Sequence, residues 1–331
     1  MIPMPGLPEP EFIHTNGIRM AVYAAGPEDG LPVVLCHGFP ELAYSWRHQI
    51  PALAEAGYRV LAPDQRGYGN TDRPQAVEAY DIHALTGDLA GLLDHYGAER
   101  AVFAGHDWGG IVVWQMPLLH PDRVAGVIGL NTPFFARHPE KDPVTLFREA
   151  YGPDMYIVRF QERGTPEAVL DADPAKTLRF FLRKWRMSLE DFDKLPAEFK
   201  NFALLDAIEG EEDGFGGEPL LSGDEFQVFV NAFRETGFGP GINWYRNFRR
   251  NWESTEGVRQ QVDAPALMIM ADRDYVLPPR LTEGMEQWVP DLERHLVREC
   301  GHWTQQEHPQ EVNRVMTGWL ERRFGKPGGG A

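Results

Sequence analysis

At Gly105-His106-Asp107-Trp108-Gly109-Gly110 a short apolar run passes into a helix-like segment through a Gly-x-Asp-x-Gly turn. This is the pattern of a nucleophile elbow, with aspartate in the place more often held by serine. The glycines let the helix approach the strand closely, so the strained turn pushes the central side chain out above the carboxyl edge of a sheet. A carboxylate there, at a helix N-terminus, is held in its anionic form by the helix dipole. Aspartate, with an ordinary pKa near ~3.9, is already ionised at neutral pH and needs no base to deprotonate it. It is suited to backside attack on a strained or activated sp³ carbon, and the product of that attack is an ester of the protein itself. The same turn also occurs in ordinary loops, so the chemistry depends on what converges with it.

Three further segments are placed to converge. His37-Gly38-Phe39-Pro40-Glu41 follows an apolar run ending at Cys36, where the backbone N–H of Phe39, with that of Trp108, could form an oxyanion hole. Read blandly, it is a Gly-Pro turn whose Phe39–Pro40 bond is a candidate for the cis form. Asp272-Arg273-Asp274-Tyr275-Val276 follows a late apolar run, and Cys300-Gly301-His302-Trp303-Thr304 follows the last one. Nucleophile, acid and base in that order, each at the carboxyl end of a strand, is the arrangement this architecture uses. Asp272 and Asp274 are rivals for the acid. A histidine so placed can activate water against an ester carbonyl.

The elements that must position these residues are legible from periodicity. Pro32–Cys36, Arg59–Pro63, Ala101–Gly105 and Val124–Leu130 are apolar runs bounded by Gly, Pro or charge, the habit of strands buried on both faces of a parallel sheet. Ile82, Leu85, Leu89, Leu92 and Tyr96 recur at spacings of three and four and mark an amphipathic helix. Alternating strand and helix imply right-handed βαβ units and a mostly parallel sheet with helices on both faces. From about Phe134 to Glu253 the pattern changes to helix formers and large aromatics with no clear buried strand. Within it, Glu209–Pro219 (EGEEDGFGGEP) reads as a mobile loop. Strand-like sequence resumes at Ala266–Ala271 and His295–Val297, Pro309–Phe324 reads as a closing helix, and the tail GKPGGGA is expected to be disordered. The expected division is an α/β core, 1–133 with 254–331, interrupted by a helical cap, 134–253.

Composition narrows the function classes. The 331 residues carry 32 Lys plus Arg against 49 Asp plus Glu, a net charge of −17, which argues against a nucleic-acid binder. With 43% hydrophobic and 24% charged residues the chain can bury a good core. No stretch approaches the roughly 20 apolar residues of a membrane span. The opening MIPMPGLPEPEF has neither a basic nor an apolar signal region, so no secretion signal is expected. Two cysteines, Cys36 and Cys300, are too few for a disulfide framework and fit a reducing cytoplasm. No cluster has zinc-ligand spacing, and Arg66-Gly67-Tyr68-Gly69 lacks the Lys-Ser/Thr of a phosphate cradle, so neither a metal nor an organic cofactor is expected. No heptad or apolar seam speaks to oligomeric state.

HGFPE, DQRGYGNTD, GHDWGG, NWYRN, ADRDYV and CGHWTQQEHP together resemble the epoxide hydrolases of the α/β-hydrolase superfamily, over nearly the whole chain from about Phe12 to Phe324. The resemblance implies an α/β-hydrolase fold with an inserted cap, Asp107 as nucleophile, Asp274 as acid and His302 as base. It also implies that Tyr245 (in NWYRN) and Tyr156 (in MYIVRFQERG) protonate the epoxide oxygen. The implied substrates are a small apolar epoxide and water, contacted by Phe39, Trp108, Tyr156 and Tyr245. GHDWGG is shared with haloalkane dehalogenases, the alternative enzyme; the leaving group separates the two. A halide departs without a proton, whereas an epoxide oxygen becomes a basic alkoxide and wants the O–H of a residue such as tyrosine, protonated at neutral pH. A catalytically inactive receptor on the same scaffold is the alternative of another class, and it would be expected to lack part of the triad. Trp46, Trp185, Trp244 and Trp303 are expected mainly as core aromatics, and His106 as a hydrogen-bonded structural residue.

Overall fold

The computed structural model describes residues 1–210 and 217–326. Its main sheet is built from β1 (Glu11–Thr15), β2 (Ile18–Ala25), β3 (Pro32–Cys36), β4 (Arg59–Pro63), β5 (Ala101–His106) and β6 (Val124–Leu130). A two-residue ribbon, β7 (Arg183–Lys184) with β8 (Glu218–Pro219), stands apart, and β9 (Ala266–Ala271) and β10 (Leu292–Val297) complete the sheet. The order is β1-β2-β4-β3-β5-β6-β9-β10, parallel from β4 onward, with β1 and β2 antiparallel at one edge. The four apolar runs read from sequence are β3 to β6, with β5 one residue longer than expected. They are buried almost throughout because helices cover both faces. Gly129 lies against Trp114 of the helix Trp108–Leu119, and Gly126, an odd number of residues away, lies against Trp319 of Pro309–Phe324. Odd separation along a strand means opposite faces, so these two helices sandwich the sheet.

The expected helix forms as Ile82–His95, begun by Asp81, whose side chain accepts from the Ala84 amide at 2.9 Å. Two features differ from the sequence expectation. The hairpin β1–β2 was not anticipated, although Asn16-Gly17 at its turn, both at positive φ, is a strong two-residue hairpin signal. The last strand starts at Leu292, not His295, because its first half is a partly exposed edge with the charged pair Glu293-Arg294.

Between β6 and β9 the chain forms a run of short helices, beginning with Pro143–Tyr151 and ending with Gly239–Arg246 and Phe248–Ser254. Glu218–Pro219, expected in a loop, pairs with Arg183–Lys184. The rest of that acidic stretch from 211 to 216, and the tail beyond 326, lie outside the described residues. Among the described residues no helix is long and apolar enough to cross a membrane.

The RGYG segment has a structural role. Arg66 binds Asp88 with two parallel bonds of 2.8 and 2.6 Å, both side chains nearly inaccessible, and Asn16 donates a further bond to Asp88. Breaking a buried pair of this kind strands a charge and costs about 3–5 kcal/mol. Asp88→Ala is therefore expected to lower unfolding stability by about that amount. Urea denaturation would measure it, and a loss below about 1 kcal/mol would mean that Arg66 finds another partner.

Candidate active site

The loops that leave the carboxyl ends of β3, β5, β9 and β10 meet above the sheet. Asp107 follows β5 with φ 52° and ψ −119°, an unusual backbone for a residue other than glycine. The elbow is forced by crowding: a Cβ on Gly109 would lie 2.0 Å from the Cys36 carbonyl oxygen. Gly38 is equally constrained, since a Cβ there would lie 2.4 Å from that of Asp107. The hydroxyl of Thr132 donates to the Asp107 backbone carbonyl at 2.7 Å and steadies the turn.

The Asp107 carboxylate is divided between two functions. Its Oδ1 accepts the Phe39 N–H at 2.8 Å, and the Trp108 N–H also bonds the carboxylate. The two predicted oxyanion-hole amides thus converge on one side chain. The peptide bond Phe39–Pro40 is cis, as the Gly-Pro turn suggested. Oδ2 faces Nε2 of His302 at 3.7 Å. Burial pushes the Asp107 carboxyl above its ordinary range, opposed by His302, His106 and the two amides.

On its other side His302 donates from Nδ1 to Oδ2 of Asp274 at 2.9 Å. Asp274 is fully buried and accepts three more hydrogen bonds, from the Val276 and Leu277 amides at 2.9 Å each and from Asn131 at 2.8 Å. Burial would raise its pKa, but the His302 charge and these donors overcome it, leaving the carboxyl below its ordinary range. For His302 too, burial works against the charged form, yet Asp274, then Asp107 and Glu41, outweigh it and lift the imidazole to about 9. Asp272 does not reach His302; it accepts the Cys300 amide at 3.3 Å and lies near Arg298. Geometry thus favours Asp274 between the two rivals.

Tyr156 opens the short helix Tyr156–Arg159 and Tyr245 lies in Gly239–Arg246; both are buried. Their rings meet edge to face, with centroids 5.8 Å apart. Tyr245 also packs edge-on against Phe39 and Trp108, at 5.5 and 5.1 Å. Burial, followed for Tyr156 by the Asp107 charge and for Tyr245 by Tyr156 and then Asp107, raises both phenols, so both stay protonated. Trp46, Trp185, Trp244 and Trp303 are all buried in the core, as expected, and Trp185 and Trp303 also flank the His302 ring at 5.7 and 4.8 Å.

His106 is the hydrogen-bonded structural residue expected from the sequence, whereas its partner Glu41 was not foreseen. His106 Nδ1 is hydrogen-bonded to Glu41 and its Nε2 to the His302 carbonyl, both at 2.7 Å, so neither ring nitrogen is left open. Glu41, fully buried, also accepts the Gly38 amide and the side chains of Gln305 and Gln306. Burial alone would raise its carboxyl, but His106, followed by the Gly38 amide and His37, brings it down to about 2. Asn131, at φ 61°, could have been flagged as a polar residue closing β6 that tolerates positive φ.

Residues 32–309 match the family model described as the alpha/beta hydrolase fold. The chain is 46% identical over 327 residues to epoxide hydrolase A of Mycobacterium tuberculosis, covering 95% of this chain and 98% of that protein. It is 39% identical over 313 residues to bifunctional epoxide hydrolase 2 of Sus scrofa, where it spans 92% of itself and 54% of that longer protein. The crystal structure of epoxide hydrolase A from Mycobacterium thermoresistibile superposes with a TM-score of 0.85 at 44% identity, covering 95% of this chain and 98% of that one. Fold, site geometry and kinship agree: this chain belongs to the epoxide hydrolases of the α/β-hydrolase superfamily.

Proposed function

We propose that this protein opens a small apolar epoxide to a vicinal diol through an ester on Asp107, and that residues 134–253 act as a cap over a core of 1–133 with 254–331. The observation that carries this reading is the pair of buried phenols, Tyr156 and Tyr245, packed over the residues whose amides hold Asp107. In the first step Oδ2 of Asp107 bonds to an epoxide carbon. The carbon–oxygen bond breaks, and its oxygen receives a proton from the tyrosine pair. His302 is a cation at neutral pH, with its pKa near 9, and lies beside the carboxylate without competing for the carbon.

Esterification erases the charge on Asp107, one of the charges that hold the His302 proton. The imidazole then releases that proton, which restores the tyrosine pair, and becomes the base of the second step. It removes a proton from water as the water oxygen bonds to the ester carbon, while the Phe39 and Trp108 amides hold the resulting oxyanion. Collapse expels the diol oxygen, which takes the hydroxyl proton of the tetrahedral centre, and leaves Asp107 as carboxylate. A halide leaving group would have no use for the two phenols, which is why the dehalogenase alternative fits this site less well. The intact Asp107–His302–Asp274 set weighs against an inactive receptor. The proposed setting is the cytoplasm, with no cofactor.

In His302→Gln, alkylation is expected to persist while hydrolysis is blocked, so intact-mass analysis of protein mixed with styrene oxide should show a mass increase of one substrate. No adduct under those conditions would overturn covalent catalysis. In the double variant Tyr156→Phe/Tyr245→Phe, rapid-quench measurement should find ester formation at least ~10³-fold slower. An unchanged rate would remove the tyrosines from the mechanism.

A further inference from the structure

The segment Phe181–Met187, from the helical insertion, crosses the two loops that carry His302 and Asp274. At one end the Phe181 carbonyl accepts the indole N–H of Trp303, the residue after His302, at 2.9 Å. At the other the Met187 carbonyl accepts the hydroxyl of Tyr275, the residue after Asp274, at 2.7 Å. Trp185 lies between these two points. Its ring is nearly parallel to the His302 imidazole, 21° between planes and 5.7 Å between centroids. The indole is also stacked on Tyr275 at 4.7 Å and 5°, and Tyr275 in turn on Phe192 at 4.5 Å and 3°. Gly301 makes the approach possible, because a Cβ there would press on the Trp185 backbone nitrogen at 3.2 Å. Three stacked aromatic rings therefore connect to the base, tied to the core beside each member of the His302–Asp274 pair.

We propose that Trp185 is a positioning residue for the hydrolytic half-reaction, an aromatic platform from the cap that holds the His302 ring and stabilises its cationic form as water is deprotonated. The proposal rests on His302 acting as the base. An indole face within about 6 Å of a cation attracts it, and more strongly where water is excluded. The charged and titratable groups facing His302 from the core are Asp274, Asp107, Glu41, Glu307 and His106. From the insertion, Arg183 and Arg186 of the same segment bond to Gly217 and Glu218, and Trp185 presents its ring to the imidazole. The platform acts after the ester has formed, because only then does the imidazole pass from neutral to charged while accepting a proton.

The test separates the two half-reactions by rapid quench with styrene oxide across a pH range, in the full-length wild type, Trp185→Met, Trp185→Phe and Tyr275→Phe. Methionine keeps apolar cover but loses the ring face. Ester formation should stay within about twofold of wild type. The midpoint of the acidic limb of hydrolysis should fall by roughly half a pH unit. Phenylalanine at 185 should restore most of that shift. Tyr275→Phe keeps the ring and removes the hydroxyl that holds Met187, and should slow hydrolysis about threefold with ester formation unchanged. An unmoved midpoint in Trp185→Met, or equal losses in both half-reactions, would overturn the proposal while leaving the ester mechanism standing. If Trp185→Met fails to fold, Tyr275→Phe decides alone, and unchanged hydrolysis there overturns it. Absence of any ester in wild type would overturn the underlying mechanism, and this proposal with it.

Discussion

The imidazole of His302 lies between two carboxylates, 2.9 Å from the fully buried Asp274 and 3.7 Å from the part-buried Asp107, and the structure around it is arranged to hold these charges together. Isolated charges in such a place would be costly, and each anion is therefore given its own donors. Asp274 has two amides and Asn131; Asp107 has the amides of Phe39 and Trp108. The electrostatics are asymmetric in a useful way. Asp274 is permanently engaged, whereas the charge on Asp107 is the one that ester formation would consume. A single covalent event at Asp107 would thus change what His302 can do, with no movement of the backbone.

This triangle exists because six strands run in one direction and end level with one another. Cys36 pairs with Gly105 and His106 with Leu130, so the loops carrying Phe39, Asp107 and Asn131 start at one height. On the far side Ala271 pairs with Val297, which brings Asp274 and His302 up together. The sheet supplies the charged groups. The helical insertion supplies the rings: the two tyrosines above Asp107 and the indole of Trp185 above His302. The charged groups are thereby built on the sheet, and the aromatic walls come from the helical insertion.

Much of the sheet was legible because parallel strands buried on both faces leave unbroken apolar runs, and β3 to β6 are such runs. Asp107, Asp274 and His302 could be found because each follows a strand end, where side chains must emerge. The preference for Asp274 over Asp272 was not available from spacing alone; it depends on which carboxylate the Val276, Leu277 and Asn131 donors surround. Trp185 was hidden for a similar reason. Nothing local distinguishes it from a core aromatic, and its place on His302 arises from a contact between residues 117 positions apart. The partnership of His106 with Glu41 was not legible because its members come from the loop after β3, from β5 and from the helix after His302, so no one segment displays it.

His106 stands next to the nucleophile, and its ring centroid lies 4.9 Å from that of His302. An imidazole nitrogen left open so close to Asp107 could compete with it for an electrophile. Here Nδ1 is bonded to Glu41 and Nε2 to the His302 carbonyl, and neither nitrogen is open. The hydrogen bonds that fix the floor of the site thus also keep this second histidine out of its chemistry.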